Sequence, residues 1–368
     1  MGLPTQVLAA TEEVEAVQPK SIDKVAEEKP AEPKTRTPQL YVGPRITEGN
    51  AALLNLIGKF PGADTEALSI AYDRQDKPFA DTGLMPSLRG TEKKIAKLSS
   101  LGVIGRHKNT ATKRTVYSLT REGFISIYSF GYNMEDSASL HRVSQNRANH
   151  YQMIAHVAAQ FISPMGFFRD SLGIEPVPIE HLFSEHQMRR AYEQTEAQLK
   201  ARAAKGESGD FGRWRSAALN HLVKLVEARR IEWSDVVESM PSVLTIGMPE
   251  VEEDKTKPVH QPDLAVVLDA DRTGPDAQNL LVEVELNKKS WAAYEKILQT
   301  YKDELDLSLV YSRVVYFTIG TQVETLLRKV DKKIKTGLFD SGRLVVLPIT
   351  HRDGSPVRFE KRISIREN

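Results

Sequence analysis

Three carboxylates stand where the chain otherwise reads as buried strand. Asp263 lies in HQPDLAVVLD, Glu283 and Glu285 lie in LLVEVEL, and Lys288 and Lys289 follow directly. A charge buried without a partner is strongly unfavourable, so each of these acids needs a reason to be there. Residues i and i+2 of a strand share a face, so Glu283 and Glu285 point the same way. Two reasons fit: the acids hold a divalent cation, or the strand has one wet face. A hard cation such as Mg2+ or Mn2+ takes oxygen ligands and keeps several waters. Asp263, Glu283 and Glu285 are therefore the candidate metal ligands and catalytic carboxylates. Lys288 or Lys289, just past the strand, would steady a developing anion or orient an attacking water.

The elements that must position these groups follow from apolar spacing. DLAVVLD and LLVEVEL read as a hairpin pair of strands. NKKSWAAYEKILQTYKDELD reads as a helix with Trp291, Tyr294, Ile297, Leu298 and Tyr301 on one side. RVVYFTIG is a β-branched strand, TQVETLLRKVDKKIKTG a second amphipathic helix and RLVVLPI a closing strand. This order builds a central sheet with right-handed crossovers and helices on its faces. Asp263 begins its strand directly after Pro262, so the acids of the two neighbouring strands converge at one end of the hairpin.

The N-terminal half has a different rhythm. TEGNAALLNLIGKF predicts a helix with Thr47 as its cap candidate and Gly58 near its end. A second helix starts at Asp64 or Thr65 and runs through EALSIAY. The loop DRQDKPFADTG leads to a third, PSLRGTEKKIAKLSSLG, with Leu88, Ile95, Leu98 and Leu101 as its stripe. VIGRH, the polar tip KNTATKR and TVYSLT then predict a hairpin. Three helices followed by a basic hairpin is a winged-helix order.

Arg89, Lys93, Lys94 and Lys97 lie around the third helix, and Arg106, Lys108, Lys113 and Arg114 on the hairpin. Only Glu92 opposes them before Glu122. A basic helix beside a basic wing suits a DNA groove and its flanking phosphates; a solvated lysine face is the bland alternative. Phosphate contacts dominate this set, so it carries little base specificity.

Between these halves, residues 136–175 predict a linking helix with Ala148, Met153, Ile154, Val157, Ala158 and Phe161 as apolar positions. Its His150 and His156 read as packing or capping residues rather than ligands. SEHQMRRAYEQTEAQLKARAAKGE is a charged helix opened by Ser184, with Glu185 in the first turn, where the helix dipole favours a carboxylate.

Composition sets the outer bounds. The 368 residues carry a formal charge of +1, so nucleic-acid binding must come from local patches rather than a global pull. With no cysteine, disulfides, thiolate zinc sites and cysteine nucleophiles are excluded. No apolar run approaches the ~18 residues of a membrane span and no signal-peptide core stands at the N-terminus, so a cytoplasmic protein is expected. Residues 1 to about 40, with EEKPAEPKTRTP, have the composition of a flexible tail.

The order Pro262-Asp263, about twenty residues, then Glu283 followed by basic residues resembles the PD-(D/E)xK, or restriction-endonuclease-like, superfamily. A winged helix ahead of this strand pair, and a following helix carrying Lys296 and Tyr301, resembles the bacterial replication-relaxation family over roughly residues 44–350. SEHQMR also resembles that family's segment before its nuclease-like core. The resemblance implies an α/β fold, α+β overall, with a tail at 1–40, a winged helix at 41–133, a linking helix at 134–178 and a nuclease-like domain at 179–368. It implies a plasmid or phage protein acting in replication control or DNA relaxation, with a Mg2+- or Mn2+-dependent nuclease or nicking activity. Double-stranded DNA is the implied partner, with a second copy of the chain or the replication and relaxation machinery. Where the motif carries lysine two residues after its acid, this chain has Glu285. A non-catalytic transcriptional or copy-number regulator, its nuclease-like domain serving as a dimerisation or partner platform, therefore stands as the alternative.

The composition of residues 1–37 buries too little apolar surface to offset the entropy of ordering them. A chain lacking them is expected to keep the thermal unfolding transition of the full chain, as read by circular dichroism.

Overall fold

The computed structural model describes residues 46–76, 88–132, 145–163, 167–206, 221–222, 224–225, 228–231, 236–237, 240–247, 259–268, 279–307 and 310–358. The expected tail at 1–40, most of the loop DRQDKPFADTG, and the connection after DLAVVLD lie outside the described residues.

Helix α1 (Glu48–Lys59) follows Thr47 and buries Leu53, Leu54, Leu56 and Ile57. Helix α2 (Thr65–Asp76) starts where Asp64 Oδ1 accepts the Ala67 N–H at 2.9 Å, an N-cap that satisfies one of the open donors of the first turn. Helix α3 (Leu88–Ser100) turns Thr91, Ile95 and Leu98 inward. Leu88, expected in the same stripe, is 39% exposed, because it lies at the stripe's edge over a cleft facing the hairpin.

Strands β1 (Ile104–Lys108) and β2 (Thr115–Leu119) pair antiparallel, with Arg106 opposite Tyr117. In their turn, Asn109 Oδ1 accepts the Ala111 N–H at 3.0 Å, and Lys113 takes a left-handed φ of 59°. Helix α4 (Arg121–Tyr128) is capped by Thr120, whose side chain accepts the Gly123 N–H. Glycine is required at 123: a Cβ there would lie 2.1 Å from the Val103 carbonyl oxygen.

Helix α5 (Gln145–Ile162) is the element expected as a linker. Its residues 152–162 are buried on every side, so it is a core helix rather than a bridge. One turn at Arg169–Leu172 precedes β3 (Leu182–Ser184), a short strand the sequence did not announce. Helix α6 (Glu185–Ala204) opens with a capping box between Ser184 and Gln187. Strands β4 (Ile246–Gly247) and β5 (Val259–His260) form a separate minimal pair.

The main sheet is completed by β6 (Leu264–Val266), β7 (Asn279–Glu285), β8 (Tyr311–Thr318) and β9 (Leu344–Pro348), with α7 (Trp291–Leu307) between β7 and β8 and α8 (Gln322–Ile334) between β8 and β9. Its order is β3-β6-β7-β8-β9. The β6–β7 pair is antiparallel, as expected for a hairpin, while β7, β8 and β9 run parallel. The helices between them are the crossovers that parallel strands need.

Two layers of side chains enclose the sheet. One apolar cluster runs without a break from Leu53, Leu68 and Leu98 through Val157 and Phe161 of α5 to Val282, Val315 and Phe317. Phe161, Phe168 and Phe317 meet there, with centroids 4.7 to 6.0 Å apart. Tyr294, Leu298, Tyr301 and Leu305 of α7 are buried, and the Tyr301 hydroxyl lies 3.2 Å from that of Tyr316 on β8. The result is a mixed helix and sheet fold. Among the described residues no helix is long and apolar enough to cross a membrane.

Gly123→Ala forces its new methyl against backbone and should destabilise by about 2–3 kcal/mol. Urea unfolding of the variant beside the parent checks this value.

Candidate functional site

Polar residues on a helix that is otherwise buried all round must find partners inside the protein. On helix α5, half-buried His150 reaches Asp263, Gln152 and His156 both reach Asp64, and Gln160 pairs with Thr350. The sequence leads one to expect packing or capping roles for both histidines, and neither expectation names their acidic partners. The signal that distinguishes them is their setting: Met153, Ile154, Ala155, Val157, Ala158 and Ala159 leave the helix no wet face where His156 sits.

His150 lies at the sheet. Its Nε2 donates to Asp263 Oδ1 at 2.8 Å, and Asp263 Oδ2 accepts the Val284 N–H at 2.8 Å. The carboxylate thus ties β6 to β7 at the end of the sheet where the parallel strands have their carboxyl ends. This is the edge at which open α/β sheets place their ligands. Glu283 and Glu285 are both buried on the same strand, two residues apart. Lys289, exposed like Lys288, closes on Glu285 in an ion pair. The Tyr294 hydroxyl accepts the Lys289 N–H at 3.2 Å, which fixes the turn into α7.

The charges of this set feel one another. Burial raises the Glu285 pKa; Lys289 opposes that, but Glu283 and Asp263 add to it, and the net shift is upward. Burial alone would lower His150 and Lys289; Asp263 raises the first and Glu285 the second, so both keep their charge more firmly than usual. Burial, followed by the field of Glu283, holds the Tyr301 and Tyr316 hydroxyls well above their ordinary range. Glu285 thus feels Asp263, Glu283 and Lys289, and His150 joins Asp263, but Asp263, Glu283 and Glu285 do not bring three ligand atoms within 4.8 Å of one another, so the expected convergence on one cation is not reached.

A second set lies under the hairpin. Asp64 Oδ1 accepts from the Ala67 N–H and from His156 Nε2, both at 2.9 Å. Its Oδ2 accepts from Arg114 at 3.0 Å and from Gln152 at 2.9 Å. All four acceptor positions of the carboxylate are in use. Gln152 Oε1 in turn accepts from Asn109 at 2.7 Å and Thr112 at 2.9 Å, pinning the hairpin turn to α5. Glu66 receives Arg114, the Arg352 N–H at 2.9 Å and His351 Nδ1 at 3.1 Å, which draws the segment after β9 into the same network.

Among the described residues, Asp64, Glu66 and His156 are the group of three whose donor atoms lie within 4.8 Å of one another. Arg114 bridges both carboxylates, however, and supplies the positive charge that a cation would bring. This set is built as an ion-pair network.

The basic residues expected to face DNA divide in the same way. Arg89, Lys93 and Lys97 are exposed on α3, and Arg106, Lys108 and Lys113 are exposed on the hairpin. Lys94 is half-buried, and burial lowers its pKa. Arg114 is turned inward: its guanidinium lies on Asp64 and Glu66 rather than along the outer face. Between the start of α2, helix α3 and the hairpin runs a cleft of about 470 Å3, lined by Glu66, Glu92, Ile95, Arg106, Arg114 and Tyr117 among others.

Comparison with protein-family models, with curated proteins and with solved structures finds no match to this chain.

The buried pair His156–Asp64 makes a signed prediction. Burial alone would lower His156, but Asp64 raises it above its ordinary value of 6.5. Its contribution to stability is therefore complete below about pH 6.5 and is lost as pH rises through the raised value. Burial alone would raise Asp64, but His156, the Ala67 N–H and Arg114 hold it below its ordinary 3.8, so its own contribution is lost only in strong acid. His156→Gln is expected to cost about 3 kcal/mol at pH 6. The difference from the parent should shrink as urea unfolding is repeated toward pH 9.

Proposed function

We propose that this chain is a double-stranded-DNA-binding protein of a plasmid or phage, acting in replication control or DNA relaxation. Helices α1–α3 and the β1–β2 hairpin are read as a winged helix, and the sheet with α7 and α8 as a restriction-endonuclease-like domain. The observation that carries the reading is the outward row of Arg89, Lys93 and Lys97 on α3 beside Arg106, Lys108 and Lys113 on the hairpin. Point charges on a helix and its neighbouring wing suit phosphates on both sides of a groove. A second copy of the chain or the replication and relaxation machinery completes the partner set under this reading.

The acid set at the sheet divides the reading in two. Mg2+ or Mn2+ would be held by Asp263, Glu283 and Glu285, an all-oxygen donor set suited to a hard cation. When bound, the ion supplies charge neutralisation and an activated water for phosphodiester hydrolysis. Two buried glutamates on one face of β7 support this reading, although the three carboxylates would have to draw together around the ion, because their ligand atoms do not all lie within 4.8 Å of one another. Lys289, already on Glu285, would serve as the basic partner, with exposed Lys288 as the other candidate. The non-catalytic regulator is favoured by a different observation. Asp263 has one oxygen on His150 and the other on the Val284 N–H, so the protein itself satisfies it.

For the DNA reading, replacing Lys93, Lys94 and Lys97 together by glutamine should weaken duplex binding for every sequence and flatten its salt dependence. Each lost phosphate contact removes about 0.9 from the slope of log affinity against log salt. An unchanged slope rejects the docking face.

For the acid set, the measurement is manganese titration of the full chain and its Glu283→Gln variant, with nicking of supercoiled plasmid. Nicking by the parent alone establishes the metal-dependent enzyme. Binding of manganese without nicking leaves a binding-only relic and removes the enzyme reading. If the parent binds no manganese, and Glu283→Gln lowers stability by about 1–3 kcal/mol, the carboxylates are held by protein cations alone.

A further inference from the structure

The charges of α8 are sorted by depth. Between residues 328 and 335 the single acid is Asp331, which is buried. It accepts from the Thr336 hydroxyl and from the N–H groups of Leu338, at 3.2 Å, and Phe339, at 3.4 Å. It therefore closes the helix end and adds nothing to the outer surface. Val323, Leu327 and Val330 are buried as well. What remains outside is cationic: Arg328, Lys329, Lys332, Lys333 and Lys335 are all exposed within eight residues.

Two of the five are tied down. Arg328 pairs with Glu324 at 2.8 Å and lies 4.2 Å from the Phe339 ring centre. Lys333 pairs with Glu295 at 3.1 Å and lies 5.1 Å from the Trp291 ring centre. Lys329, Lys332 and Lys335 make no ion pair among the described residues. The helix dipole accounts for cations in the last turn only, because its effect falls off within that turn. It does not account for Lys329, or for burying the one local acid. Trp291 also opens α7 two residues after Lys289, the lysine that closes on Glu285. Through the Lys333–Trp291 contact, the cationic face of α8 borders the lysines beside the acid set.

We propose that the outward face of α8, centred on Lys329, Lys332 and Lys335, is a second phosphate-contacting surface for duplex DNA, separate from α3 and the hairpin. The inference rests on the DNA-binding reading above and adds where the duplex is held beside the sheet. The chemistry favours a phosphate backbone over an anionic membrane. A helix lying on a membrane interleaves large apolar side chains with its lysines, and no large apolar side chain of α8 is exposed. Mobile ammonium groups are point charges that suit phosphates without reading base sequence.

The test uses the full chain and a labelled duplex of mixed sequence, with affinity measured from low to physiological salt. Three variants are compared with the parent. They are Lys329→Gln/Lys332→Gln/Lys335→Gln on α8, Arg89→Gln/Lys93→Gln/Lys97→Gln on α3, and Lys200→Gln/Lys205→Gln/Lys224→Gln as a control of equal charge change. The α8 variant is expected to lower the slope of log affinity against log salt by about 2–3, at roughly 0.9 per contact, and the control is not. A slope that moves no more than the control overturns the α8 face. If the α3 variant still lowers the slope in that case, the DNA-binding reading stands without it. A parent with no salt-dependent duplex binding overturns both. Should the α8 variant fail to fold, lysine-acetylation footprinting of the parent decides. Duplex must protect Lys329, Lys332 and Lys335 more than Lys200, and equal modification with and without DNA overturns the proposal.

Discussion

The buried contact between His156 and Asp64 is the constraint on which the N-terminal arrangement depends. Asp64 caps α2, receives Arg114 from the hairpin and is reached by two side chains of α5. Removing any one donor would leave a nearly fully buried carboxylate short of a partner, which is costly in a medium that solvates charge poorly. Helix, hairpin and core helix are therefore fixed relative to one another by one side chain with four acceptor positions. Glu66, two residues further on, extends the same logic to the segment after β9 through His351 and Arg352. The hairpin that carries Arg106, Lys108 and Lys113 is anchored by this network through Asn109, Thr112 and Arg114.

Helix α5 carries that constraint across the molecule. His150, which donates to Asp263 at the sheet, stands two positions before Gln152, which holds the hairpin turn. The apolar side chains of α5 join the two halves of the core, and Gln160 adds a paired contact with Thr350 at 2.8 and 2.9 Å. A buried helix has little freedom to shift without opening voids, since protein interiors are close-packed. The acid set at the sheet and the base of the hairpin are thus anchored to one rigid element.

The sheet illustrates how burial and charge are reconciled. Strand β7 is buried along all seven residues, yet two of them are glutamates. Lys289, Tyr301 and the nearby histidine lie in the field of these acids, and the pKa directions register it. Asp331 on α8 shows the converse, an acid drawn inward to accept backbone N–H groups while Arg328 and four lysines stay exposed between residues 328 and 335.

Much of this was legible in the sequence, because it rests on local chemistry. Apolar and β-branched runs placed β7 and β8, helical spacing placed α1, α3, α7 and α8, and Asp64 and Ser184 announced helix starts. The same-face geometry of Glu283 and Glu285 is a property of any strand. Tertiary structure alone decided which partners those groups meet. His150 and Asp263 are 113 positions apart, and His156 and Asp64 are 92 apart. Whether Arg114 faces solvent or lies on Asp64 is likewise invisible in its neighbours. Local sequence sets backbone preference and which face is apolar. The pairing of a buried charge depends on groups that only the folded chain brings within hydrogen-bond distance, and no spacing rule encodes that.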